Sequence, residues 1–172
     1  MPYRTGWWDK IMVNQQRSLI VYGAVALTLF GAASAVGQSQ RKPPYWASIE
    51  EPEARMRTGP STEFPVTWVY KREKLPVKVV AVHSVWRKVQ DPDGDQGWLH
   101  VRLLSPKRTA IVTGKDVGAL RDTPDPTAHI SWRVEPGVVG IIDECDKGYC
   151  RFETEGRYGY IETARIWGDE AL

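Results

Sequence analysis

The sequence predicts an all-β fold: two copies of one small module in tandem, behind an apolar N-terminal leader. Three observations predict it. Beyond Arg41-Lys42-Pro43-Pro44 there is no long helical periodicity, and short β-branched and aromatic runs alternate with Gly, Pro and Asp turns. The second half of this region repeats the first at a nearly constant offset. Ahead of both halves, residues 19–32 read LIVYGAVALTLFGA, an uncharged apolar run after Arg17.

The leader comes first in the chain. Ala33-Ser34-Ala35 puts small residues at the two positions a signal peptidase reads, and polar Gln38-Ser39-Gln40 follows. A basic start, a short apolar run and an A-x-A site are the parts of a secretion signal. Residues 19–36 number 18, at the lower limit for spanning a bilayer core of roughly 30 Å. Residues 1–37 are therefore expected to be a signal peptide, with an uncleaved membrane anchor as the alternative. Met12 as the start would give a more ordinary leader length. No Cys stands near the cleavage region to take a lipid. Residues 38–53 are expected to be a linker.

In the first module, residues 75–82 (LPVKVVAV) read as a long apolar strand opened by Pro76, a position that a strand's start tolerates. Residues 86–90 (WRKVQ) alternate, and Asp91-Pro92-Asp93-Gly94-Asp95 turns the chain. Residues 97–101 (GWLHV) run back, with Trp98 and His100 on one face and Leu99 and Val101 on the other. In the second half, residues 138–144 (VVGIIDE), residues 149–154 (YCRFET), a turn at Gly156 and Gly159-Tyr160-Ile161 follow in the same order. The offset is 64 from Arg57 to Arg121, 63 from Trp86 to Tyr149 and 62 from Trp98 to Tyr160. Modules are expected over residues 54–112 and 113–168, each near the lower size limit for folding alone.

These residues resemble the bacterial SH3-like (SH3b) family. The first module carries Ala54-Arg55-Met56-Arg57-Thr58-Gly59-Pro60-Ser61, Trp68-Val69-Tyr70, Leu75-Pro76-Val77, Trp86-Arg87-Lys88-Val89 and Gly97-Trp98-Leu99-His100. The second is more degenerate, with Leu120-Arg121-Asp122, Pro136-Gly137, Tyr149-Cys150-Arg151, Gly159-Tyr160-Ile161 and a closing Trp167-Gly168. The resemblance implies two five-stranded, partly open SH3-like barrels. It also implies a binding or scaffolding role, often at the cell wall, but no ligand. Contact with peptidoglycan or another cell-envelope protein is the leading expectation, and an inert spacer that presents its modules to a partner complex is the second.

Charge narrows the partners. Lys and Arg number 23 and Asp and Glu 21, but from residue 38 onward the two are 20 against 20. A neutral mature chain lacks the surplus of cations that nucleic acid requires. The neutrality conceals an asymmetry: residues 38–117 carry 14 basic and 9 acidic side chains, and residues 118–172 carry 6 and 11. The two halves should attract each other, or each steer an oppositely charged partner, although drift in a solvated surface gives the same numbers. A membrane contact is expected only through an uncleaved leader.

Few residues suggest chemistry. Cys145 and Cys150 are the only cysteines and flank Asp146-Lys147-Gly148-Tyr149, so a four-residue hairpin loop would set them opposite each other for a disulfide; free thiols are the alternative. Two cysteines without further ligands at zinc spacing predict no metal site. Residues 91–95 mimic a calcium loop, but Gln96 and Arg102 stand where Gly and Glu are required. His83, His100 and His129 are scattered, and no nucleophile has a recognisable base. The expectation is no enzyme and no cofactor, with a hydrolase accessory subunit, or a hydrolase itself, as the alternative. Six tryptophans follow the leader, and in so small a barrel their ordinary place is the core. Trp68 and Tyr70, between Pro65 and Lys71-Arg72, read instead as a loop feature. With Arg57 and Arg72 they make the expected ligand surface: Arg57, Trp68, Tyr70 and Arg72. The protein is expected in the periplasm or secreted, or anchored to the inner membrane facing the periplasm.

Overall fold

Each short β-branched run becomes a strand, and the strands pair in the same order twice. The computed structural model describes residues 41–170, so the expected leader lies outside the described residues. The first sheet holds β1 (Tyr45–Ile49), β2 (Ala54–Arg57), β3 (Val66–Tyr70), β4 (Pro76–His83), β5 (Trp86–Gln90), β6 (Gln96–His100) and β7 (Leu104–Ser105). The second holds β8 (Thr109–Val112), β9 (Gly118–Arg121), β10 (Ile130–Val134), β11 (Val139–Asp146), β12 (Tyr149–Thr154), β13 (Arg157–Glu162) and β14 (Ile166–Trp167). Their orders are β3-β2-β6-β5-β4-β1-β7 and β10-β9-β13-β12-β11-β8-β14, the same path in both. A three-residue 3-10 helix precedes the last strand of each, Val101–Leu103 and Thr163–Arg165. Among the described residues no helix is long and apolar enough to cross a membrane.

The sheets have seven strands where the resemblance implies five. A strand ahead of the motif and a two-residue strand after the 3-10 helix join each sheet. β1 therefore lies inside the stretch expected to be linker, and β8 inside the stretch expected to close the first module. The physical reason is burial on both faces. Trp46, Ala47, Ser48 and Ile49 are all buried, so β1 shows no alternation for the sequence to betray.

The repeat extends to register. In the first module Ala54, Arg55, Met56 and Arg57 face Tyr70, Val69, Trp68 and Val66, with a bulge at Thr67. In the second, Gly118, Ala119, Leu120 and Arg121 face Val134, Arg133, Trp132 and Ile130, with the bulge at Ser131. Trp68 and Trp132 are thus counterparts, and both lie on the edge strand of their sheet. Each module has its own core, centred on Met56, Val77, Val79, Val89 and Leu99 in one and Leu120, Ile142, Phe152 and Ile161 in the other. The fillings differ. Where the first core uses Val77 and Val89, the second uses Gly140 and Phe152. A Cβ on Gly140 would overlap the Phe152 ring and stand 2.7 Å from the Glu153 carbonyl oxygen, so the ring takes the space the missing side chain leaves.

Cys145 and Cys150 face each other across β11 and β12, with Cα atoms 4.0 Å apart, and are joined by a disulfide. The connection is tighter than the expected four-residue loop. β11 runs to Asp146 and β12 starts at Tyr149, leaving Lys147 and Gly148 as a two-residue turn. Both have positive φ, 50° and 80°, as a turn matched to strand twist requires.

The end of the second module straps onto the first. Trp46 Nε1 donates to the Glu170 carbonyl at 2.9 Å, and the Lys78 ammonium pairs with the Glu170 carboxylate at 2.9 Å. The rings of Trp46 and Trp167 meet edge to face at 4.6 Å, a favoured aromatic geometry. Arg108 Nη2 donates to the carbonyls of Gly168 and Asp169. Gly168 makes this path possible. Its φ is +120°, and a Cβ there would lie 2.5 Å from the Thr109 carbonyl oxygen.

Candidate functional site

Alternation along β2 buries Ala54 and Met56 and turns Arg55 and Arg57 outward. Arg57 Nη1 donates to the carbonyls of Thr62 and Phe64, at 2.8 and 2.7 Å, and so holds the loop between β2 and β3. Its counterpart Arg121 does the same to Ala128, at 2.8 Å. This arginine is therefore a loop clamp in both modules, and its remaining guanidinium face borders a groove.

The groove's far wall comes from distant segments. Trp86 opens β5 and His100 closes β6, and the two are register partners. Their rings meet edge to face at 5.4 Å. His100 Nδ1 accepts the Arg102 backbone N–H at 3.2 Å, capping the 3-10 helix that presents Arg102 and Leu103. That bond fixes the tautomer, leaving His100 Nε2–H as a donor. Arg55, Arg57, Thr62, Trp86, His100 and Arg102 line a cavity of about 310 Å³, and Glu53 and Leu103 line it with them. Glu53 is already paired with Arg55 Nε at 2.9 Å. Among the described residues no carboxylate lies within ion-pair distance of Arg102.

The second module has a smaller hollow of about 230 Å³ at the equivalent place. Ala119 stands for Arg55, Glu162 for His100 and Tyr149 for Trp86, with Tyr149 and Glu162 again in register. Arg165 lines it and donates to the Asp116 carbonyl. A cavity of about 390 Å³ lies where the two modules meet, lined by Arg72 and Lys74 from one and Gly140, Glu153 and Glu155 from the other. It has no aromatic wall, and its charges oppose each other.

The four expected ligand residues are not gathered into one surface. Arg57 borders the groove, Arg72 lines the junction cavity, and Trp68 is 52% exposed on the edge strand. Trp68 and Tyr70 both lie on β3 and not in a loop; Tyr70 takes an aromatic's ordinary place in the core, only 6% exposed, and its hydroxyl donates to Asp91 Oδ2 at 2.9 Å. Asp91 Oδ1 accepts from the backbone of Asp93 and Asp95, so the pair ties the core to the turn at residues 91–95. Burial, and then the bond to Asp91, push the Tyr70 hydroxyl pKa above the ordinary phenol value. No cluster of three or more His, Cys, Asp or Glu able to hold a metal exists among the described residues.

The "Bacterial SH3 domain" family model matches twice, over residues 50–106 and 114–168. The chain belongs to the bacterial SH3 domain family. Bacterial SH3 domains are binding modules, and this chain has two. No curated protein matches it. Two solved structures, of NlpC2 and NlpC1 from Trichomonas vaginalis, are similar at 12% identity and a TM-score of 0.34. Each match covers 74% of this chain, and the chain spans 49% and 47% of those proteins.

Sequence reasoning missed Arg55, Trp86, His100 and Arg102 as members of one site. The available signal was the pairing of outward positions: Arg55 and Arg57 on β2, and His100 outward on β6 beside the Trp that opens β5.

Proposed function

We propose that this tandem bacterial SH3 protein is a non-catalytic binding module of the cell envelope, contacting peptidoglycan through its first module. The groove between β2, Trp86 and the 3-10 helix carries this reading. It combines an aromatic wall, a fixed N–H donor and three guanidiniums in one concave place, which is how a site orients a small polar ligand. The disulfide between Cys145 and Cys150 supports export to an oxidising compartment, in keeping with the leader read at residues 1–37. Co-sedimentation with purified peptidoglycan sacculi tests the proposal. Retention well above that of serum albumin is expected, and retention no greater than albumin's would overturn it.

A further inference from the structure

The reading of the groove as a wall-binding site leaves open what it recognises, and its charge answers that. Resting on that reading, we infer that the groove selects a free carboxylate on the wall peptide, held chiefly by Arg102 with His100 and Arg55.

The cations outnumber the anions at the site. Arg55, Arg57 and Arg102 face one carboxylate, Glu53, whose charge is already taken up by Arg55. Arg57 spends Nη1 on two loop carbonyls, which leaves Arg102 as the guanidinium with no partner among the described residues. A planar fork of donors matches a carboxylate with two parallel bonds, the strongest ordinary hydrogen-bonded pair. His100 adds an N–H donor with a set direction, because its Nδ1 is occupied by the Arg102 N–H. Leu103 and the narrow edge of Trp86 that reaches the surface, 9% exposed, supply apolar surface for the aliphatic part of an amino acid beside its carboxylate.

The second module shows what the same scaffold looks like without this function. Ala119 replaces Arg55, Glu162 replaces His100, and Ala164 replaces Arg102. Its one arginine, Arg165, is turned onto the Asp116 carbonyl. An anion entering there would meet Glu162 and Asp116. Carboxylate selection therefore belongs to the first groove alone.

The experiment compares untreated sacculi with sacculi whose carboxyl groups have been converted to carboxamides, using the chain from residue 39 onward. That portion contains every strand pairing among the described residues and both cores. Three proteins are measured: wild type, Arg102→Gln, and Lys107→Gln as a control for loss of an exposed cation outside the groove. Wild type is expected to bind untreated sacculi at least tenfold more tightly than amidated ones. Arg102→Gln should lose most of that difference and Lys107→Gln should keep it. Equal binding to both materials would overturn the carboxylate reading and leave the wall-binding reading standing. Equal losses in the two variants would also overturn it, since general charge attraction predicts that pattern. Failure to bind either material would sink both readings.

Discussion

Replacing Gly140 and Phe152 by Val together transplants the first module's core pair into the second. Gly140→Val alone drives new methyl groups toward the Phe152 ring, which a Cβ already overlaps, and toward the Glu153 carbonyl, 2.7 Å from that Cβ. Overpacking of that kind costs about 3 kcal/mol. Phe152→Val alone empties most of a fully buried ring site. Truncation to Val should cost about 2–3 kcal/mol, at the lower edge of the range for Phe→Ala. Independent sites would add to about 5–6 kcal/mol. In the double variant the methyls enter the volume the ring has left and only the contact with the Glu153 carbonyl remains, so its loss should fall short of that sum by about 1–2 kcal/mol. Urea unfolding of the four proteins measures the difference by linear extrapolation. Losses that add to within about 0.5 kcal/mol would refute the idea that the ring occupies the glycine's missing side chain.

Three further outcomes follow from the geometry. Trp46→Phe keeps a buried ring but removes the hydrogen bond to the Glu170 carbonyl and weakens the contact with Trp167, so unfolding should lose about 1–2 kcal/mol. It should also expose the last residues to carboxypeptidase, and an unchanged digestion rate would contradict the strap. Tyr70→Phe leaves the buried Asp91 without its phenol donor and should cost about 1.5–3 kcal/mol, read by thermal unfolding; a loss below 0.5 kcal/mol would deny the bond any weight. Asp122 is held below the ordinary carboxylate value, first by the Ser131 hydroxyl and then by His129. A depressed carboxyl stabilises above its unfolded value and loses that contribution as pH falls through the folded one. Carboxyl-carbon NMR should therefore find the Asp122 midpoint below 3.8 and rising in Ser131→Ala, and a midpoint unmoved by that change would assign the shift elsewhere.

The repeat was legible because it is written in residues that cannot be exchanged freely. Arg57 and Arg121 recur because each clamps the loop before its edge strand, and Gly97 and Gly159 recur where a Cβ would strike Met56 and Leu120. β1 was not legible because burial on both faces erased its alternation. Tyr70 misled for a related reason. Trp68 and Tyr70 share a face by alternation, but Tyr70 lies over the core while Trp68 lies beside the bulge at the sheet's rim. Nothing in a two-residue spacing separates those places. The groove was the least visible feature. Its walls come from Arg55, Trp86 and Arg102, on separate segments of the chain, and only the pairing of β2 with β6 and of β6 with β5 brings them together.

Chemical-shift mapping during titration with soluble peptidoglycan fragments tests the first-module groove most directly. The amide and side-chain signals of Arg55, Arg57, Trp86, His100 and Arg102 should move together and saturate with one affinity, while those of Ala119, Tyr149 and Glu162 stay in place. Shifts confined to the second module, or to the junction near Arg72 and Glu155, would contradict the assignment of binding to that groove.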